Sequence, residues 1–221
     1  MKAAAVLLAA ALPLAAAQAQ QPPAAAAGPA PSQAERLVFQ QAHLAGIRGP
    51  RELRYRYVEE ADGQPRATDR AVVTLALDGM GRCCDAHGEY LSGTKAVKLP
   101  DIPGASANPV LLYFMEGEVR RLQQTTKGQA AHFRRRMRQA LADEATITEA
   151  PIRWGAATVP ARSVRIAPFV TDPYRSRFAD QAATEYVFVF SDAVPGGVYQ
   201  LGAAVPGSAA RRTLTLEESN P

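Results

Sequence analysis

The sequence predicts an α+β domain, with helices packed on one face of a large curved antiparallel sheet. Three observations carry this. Segments in which apolar and polar residues alternate flank one long segment, Asn108 to Asp143, whose apolar residues recur at helical spacing. Short turns rich in Gly, Pro and Asp join the β-like segments, which implies antiparallel pairing. The order of strands, helices, strands then places the helices together on one face of the sheet.

The chain opens with a segment of secretory type. Lys2 supplies a positive start, Ala3 to Ala17 an apolar run, and Ala17-Gln18-Ala19 a small-residue cleavage site. The run falls short of the roughly 20 residues a membrane span needs. Residues 1–19 are therefore expected to be a signal peptide, and the mature protein is expected to be soluble in the periplasm. Gln20 to Ser32 is rich in Ala and Pro and has little to bury, so it reads as a disordered linker. A single domain is expected over 33–218.

Within that domain, Glu35 to Leu44 reads as a short helix closed by Gly46. Arg51 to Glu60 alternates, with Leu53, Tyr55 and Tyr57 against Arg54, Arg56 and Glu59, which is the pattern of a half-buried strand. Asp69 to Asp78 continues it, with Val73, Leu75 and Leu77 on one face. Arg82 to Leu91 is a third strand, and 95–99 is extended. In the helical segment Asn108 is placed to cap and Pro109 to begin a helix. Leu111, Met115, Val119 and Leu122 share one face. Gly128 breaks the pattern, giving two helices or one kinked helix. The second run buries Ala130, Phe133, Met137, Ala140 and Leu141 and turns Arg134, Arg135, Arg136 and Arg138 outward. Thr146 to Arg153 and Thr158 to Pro168 then read as a hairpin around Trp154-Gly155-Ala156. Glu185 to Phe190, Val198 to Val205 and Arg212 to Glu217 complete the sheet.

The 25 Lys and Arg residues exceed the 21 Asp and Glu residues by little, giving a net charge of +4. The excess sits in 108–143, where Arg120, Arg121, Lys127, Arg134, Arg135, Arg136 and Arg138 face only Glu116, Glu118 and Asp143 as acids. So local an excess argues against a nucleic-acid binder. It reads as a solvated helix face, or as a surface for an anionic membrane or an acidic partner through Arg134, Arg135 and Arg138.

Catalytic signatures are missing. The sequence has no Gly-rich phosphate loop and no nucleophile elbow. His43, His87 and His132 are scattered and read as structural residues. One local cluster, Cys83-Cys84-Asp85-Ala86-His87-Gly88-Glu89, would set Cys83, Asp85, His87 and Glu89 on one face of a strand. Those are metal-ligand types, but the spacing suits a polar solvent face equally well, and no metal or other cofactor is expected. Adjacent cysteines point to opposite faces of a strand, so no disulfide cross-linking the fold is expected. A vicinal or an intermolecular bridge is the alternative.

Strands, a helical plug, then strands that reach the turn Asp192-Ala193-Val194-Pro195-Gly196-Gly197 before a final meander resemble the periplasmic lipoprotein-carrier (LolA-like) superfamily. The resemblance spans most of Arg51 to Glu217. It implies a half-barrel whose concave face is covered by the central helices and holds a lipid or acyl chain. The residues expected to line that hollow are Leu53, Tyr55, Tyr57, Val73, Leu75, Leu77, Leu111, Phe114, Met115, Trp154, Tyr186, Phe188 and Tyr199. On this reading the protein is an exported carrier for a hydrophobic ligand and not an enzyme. The alternative is an envelope structural or interaction protein whose core is filled and holds no ligand.

Overall fold

The computed structural model of this chain describes residues 30–218. The expected signal peptide, 1–19, and the expected linker as far as residue 29 lie outside the described residues, as do 219–221. Ser32, at the end of the expected linker, is the N-cap of the first helix, α1. Its hydroxyl accepts from Glu35 N at 3.0 Å, and the Glu35 carboxylate accepts from Ser32 N at 2.8 Å, the reciprocal pair of a capping box. The helix runs as an α-turn, Gln33–Glu35, into a π-turn, Arg36–Gln40. It stops short of Leu44, the expected end, because the chain turns inward there. Leu44 N bonds to Ser106 O at 3.0 Å, and His43, Leu44 and Ile47 are buried.

Ten strands follow among the described residues, in the expected order. They are β1 (Arg51–Ala61), β2 (Gln64–Leu77), β3 (Cys83–Tyr90), β4 (Thr146–Glu149), β5 (Ile152–Trp154), β6 (Ala157–Val159), β7 (Arg162–Ile166), β8 (Glu185–Phe190), β9 (Val198–Ala204) and β10 (Arg211–Leu216). Eight of them form one curved, open antiparallel sheet in the order β3-β2-β1-β10-β9-β8-β7-β4. Its centre joins the two ends of the domain, with Tyr57 of β1 opposite Leu214 of β10. Alternation holds as expected along β1, where Leu53, Tyr55 and Tyr57 are buried and Arg54 and Arg56 exposed. It holds in β2 for Ala71, Val73 and Leu75, but Leu77 is 37% exposed. Leu77 lies at the strand end, where the register with β3 slips between Ala76 and Leu77. It therefore leaves the expected inner face.

The expected hairpin after the helices is divided. Its turn is where the sequence puts it, but β5 and β6 form a separate two-stranded ribbon, while β4 pairs with β7 in the main sheet. Pro151 and Pro160 stand between the two parts. Neither can donate to a ladder, so pairing breaks there and the ribbon turns away.

Two helices occupy the concave side, α2 (Val110–Thr126) and α3 (Ala130–Asp143). Lys127 turns the chain between them with φ 57°. The expected stripes are buried, with Leu111, Val119 and Leu122 on α2 and Phe133, Met137, Ala140 and Leu141 on α3. Met115 is only half-buried, at the margin of the core. Phe114 stands edge-on to Phe188, ring centroids 6.2 Å apart, and Phe133 packs against Phe169 and Phe178 at 5.7 and 5.6 Å. Such edge-to-face pairs add to area burial. The arginines of α3 do not all face water as expected. Arg136 is held with only 11% of its side chain exposed, because its guanidinium meets Asp172, Pro168 O and Thr171 Oγ1.

Candidate functional site

The concave face gathers most of the residues expected to line a hollow. Leu53, Tyr55, Tyr57, Val73, Leu75, Leu111, Phe114, Tyr186 and Phe188 belong to one continuous core, none of them more than 4% exposed. The space under the first turns of α2 is thus occupied by their own side chains, and a cavity of ≈ 120 Å³ remains farther along, beside Tyr57, Tyr90, Gly117 and Arg121. Trp154 and Tyr199 are not brought to it. They meet edge to face at 6.3 Å and border a cleft shared with Arg56, Val58, Thr213 and Thr215. Those four alternate along β1 and β10 with the buried Tyr57 and Leu214, so the cleft lies on the outer face of the sheet.

One polar knot ties the helices to the sheet. Asn108 is buried one residue before the N-cap, which is Pro109 and not Asn108 as expected, and its Oδ1 still accepts from Val110 N at 3.1 Å. Its Nδ2 donates to Tyr55 Oη at 2.9 Å and to Gly196 O at 2.8 Å. Its backbone N donates to His43 Nδ1 at 3.2 Å. That leaves Nε2 as the protonated nitrogen of His43, which donates to Leu37 O at 2.9 Å. Gly196 has φ +72°, and a Cβ there would stand 2.8 Å from Asn108 Nδ2 and 2.5 Å from Leu53 Cδ1. The turn before β9 therefore carries Gly because backbone and side-chain amide are in contact.

A second polar group, Glu118, was placed only on charge count by the sequence. It is 4% exposed. Arg212 of β10 grips it with two bonds, Nε to Oε1 at 2.8 Å and Nη2 to Oε2 at 2.9 Å, and Arg121 Nε lies 3.2 Å from Oε2. Burial alone would raise its carboxyl pKa; the two guanidiniums outweigh burial and hold it below the usual carboxylate range. Its position was legible, since 118 falls on the helical stripe of 111, 115 and 122. Its partner on β10 was not.

The basic face is less uniform than its sequence. Arg134 is clamped by Glu116, with two contacts of 2.7 Å, and Arg136 lies 3.2 Å from the buried Asp172. Arg135 and Arg138 have no carboxylate partner among the described residues. Next to Arg135, His132 Nε2 meets Asp172 Oδ2 at 2.7 Å. A histidine on a buried carboxylate invites comparison with a catalytic dyad. Here the other ring nitrogen faces Arg135 Nη2 at 3.2 Å and not a nucleophile. The Thr126 hydroxyl nearby is engaged by Leu122 O and Gly128 N. The pair orients a guanidinium; it does not activate a hydroxyl.

On β3 the alternation is as expected, with Cys84, Ala86 and Tyr90 buried. Cys83 and Cys84 are paired with each other. Such a link closes no loop between elements, so packing holds the fold. Asp85 accepts from Gly104 N at 2.9 Å, and His87 bonds Asp101 at 2.6 Å. Among the described residues no three metal-ligating side chains come together. Gly88 is required for packing here. A Cβ at 88 would fall 1.9 Å from the Tyr113 ring, which crosses the strand at that point.

No family model matches this chain, and a search of curated proteins finds no match. No helix among the described residues is long and apolar enough to cross a membrane.

Proposed function

We propose that this chain is an exported envelope protein that acts through its surface, with a core filled by its own side chains. Export rests on Lys2, the apolar run after it and Ala17-Gln18-Ala19. The observation that carries the rest is the packing under α2. Tyr55, Leu111, Phe114 and Phe188 are all buried in one core. Tyr55 Oη donates to Val198 O at 3.1 Å and accepts from Asn108. An acyl chain asks for free apolar area, and these side chains already cover one another. The carrier reading, which rests on the LolA-like architecture, would need α2 to lift from the sheet and break that knot. Arg135 and Arg138, exposed and without a carboxylate partner among the described residues, suit an acidic partner.

The deciding experiment is native mass spectrometry of the protein purified from membranes in mild detergent. The mass of the bare chain is expected. A discrete added lipid mass, lost on denaturation, would overturn the filled-core reading and restore the carrier.

A further inference from the structure

We propose that the cleft between the α2–α3 turn and the segment 172–178 binds a phosphate group. It is an open cleft of ≈ 580 Å³, larger than a bare phosphate needs, so an ester with a substituent fits it. Three cations from three segments line it, namely Lys127 of the turn, Arg135 of α3 and Arg177 of the 3-10 turn Arg175–Arg177. No Asp or Glu is among its lining residues. The contrast with the adjacent arginines is direct. Arg134 and Arg136 are held by Glu116 and Asp172, whereas Lys127, Arg135 and Arg177 have no carboxylate partner among the described residues.

Arg135 is also positioned. Asp172 is fully buried, and as an ionised carboxylate it can only accept. It accepts from His132 Nε2–H at 2.7 Å and from Tyr174 N–H at 2.8 Å. His132 Nδ1 is then a bare acceptor, and it receives Arg135 Nη2 at 3.2 Å. One donor of the guanidinium is fixed this way, and the others remain for a ligand. Arg136 Nε lies 3.2 Å from Asp172 Oδ2 and matches its charge behind the cleft. Across the cleft, Arg177 lies over the Tyr174 ring at 5.4 Å. Such a cation–π contact consumes no N–H of the guanidinium. Planar guanidiniums bind phosphate oxygens in pairs, and a phosphate ester presents three such oxygens to three cations where a carboxylate presents two. A soluble phosphate ester and a phospholipid headgroup share this chemistry. The cleft lies apart from the filled core, and its test is independent of the lipid-mass test.

The test uses the mature protein with two kinds of probe. Calorimetric titration is made with inorganic phosphate and with glycerol 3-phosphate. Cosedimentation is made with phosphatidylcholine vesicles, with and without phosphatidylglycerol. Arg135→Ala and Arg177→Ala are compared with Arg70→Ala, a change at an exposed arginine of β2 outside the cleft, and thermal melts check that each variant folds. Saturable binding of one equivalent is expected, weakened about tenfold or more in the first two variants and unaltered in the third. Loss confined to the soluble esters identifies a free phosphate ester as the source. Loss confined to the anionic vesicles identifies a headgroup. No saturable binding of any probe, or an equal loss in Arg70→Ala, overturns the site. Should Arg135→Ala melt early, Arg177→Ala alone decides.

Discussion

Asn108 Nδ2 donates to the Tyr55 hydroxyl at 2.9 Å, and through that contact the start of α2 is locked to the middle of β1. The same amide reaches Gly196 O at 2.8 Å, so three distant parts of the chain share one side chain. Buried polar groups are expensive when unpaired, which makes this knot a specific device for docking the helices.

The knot yields the first prediction. Asn108→Ala leaves Val110 N and one lone pair each of Tyr55 Oη and Gly196 O unpaired, at about 1–3 kcal/mol for each group that water does not reach. Gly196→Ala forces a left-handed backbone on alanine and crowds Asn108 Nδ2, for about 2–4 kcal/mol. Urea unfolding measures both. Because the two sites touch, the double variant is expected to lose less than the sum; strict additivity would refute the contact.

Glu118 and Arg212 supply the second. Glu118→Gln leaves the Arg212 charge buried without its counter-ion and should cost about 3–5 kcal/mol. Replacing both, as Glu118→Leu with Arg212→Met, is expected to cost less than the single change. The sign with pH follows from the lowered carboxyl pKa in the fold. The pair's stabilisation is present above the ordinary carboxylate value of about 4.3 and is lost as pH falls through the lower folded value. Wild-type stability should therefore drop more steeply below about pH 4 than that of the double variant. Parallel acid curves would count against the pair.

His43 acts at milder pH. Burial pushes its pKa down, more than its bond to Leu37 O raises it. Above about pH 6.5 both folded and unfolded chains hold it neutral. Below that, the unfolded chain takes the proton first, so stability falls with falling pH until the folded pKa is reached. The wild-type protein should lose stability as pH falls below about 6.5, and His43→Gln should flatten that slope. A slope that persists in the variant assigns it to another group.

The helix α3 offers a graded series. Phe133 is fully buried against Phe169 and Phe178, and truncation to Ala should cost about 3–5 kcal/mol. Arg138→Ala, at an exposed position, should stay within about 0.5 kcal/mol. Arg136→Ala should fall clearly above that, since Asp172 loses a buried partner. Denaturant midpoints order the three, and Arg136 behaving like Arg138 would show that its ion pair contributes nothing.

What the sequence settled by itself were the local matters. Alternation in Leu53, Tyr55 and Tyr57 assigned strand β1 and its buried face, and helical spacing from Leu111 to Leu141 assigned a helical pair or one kinked helix with its buried stripes. Periodicity is a property of neighbours in the chain, so it can be read without the fold. The aromatic core under α2 follows from the same pattern. Tertiary structure decided the rest, because those facts join residues far apart in sequence. That Trp154 and Tyr199 serve the outer face depends on a ribbon leaving the sheet between Pro151 and Pro160. The partner of Glu118 lies 94 residues away on β10. The four arginines at 134, 135, 136 and 138 looked alike in sequence, yet Glu116 and Asp172 occupy Arg134 and Arg136 and leave Arg135 and Arg138 without such partners among the described residues. Whether a charge is matched depends on what the fold sets beside it, and spacing along one helix cannot report that.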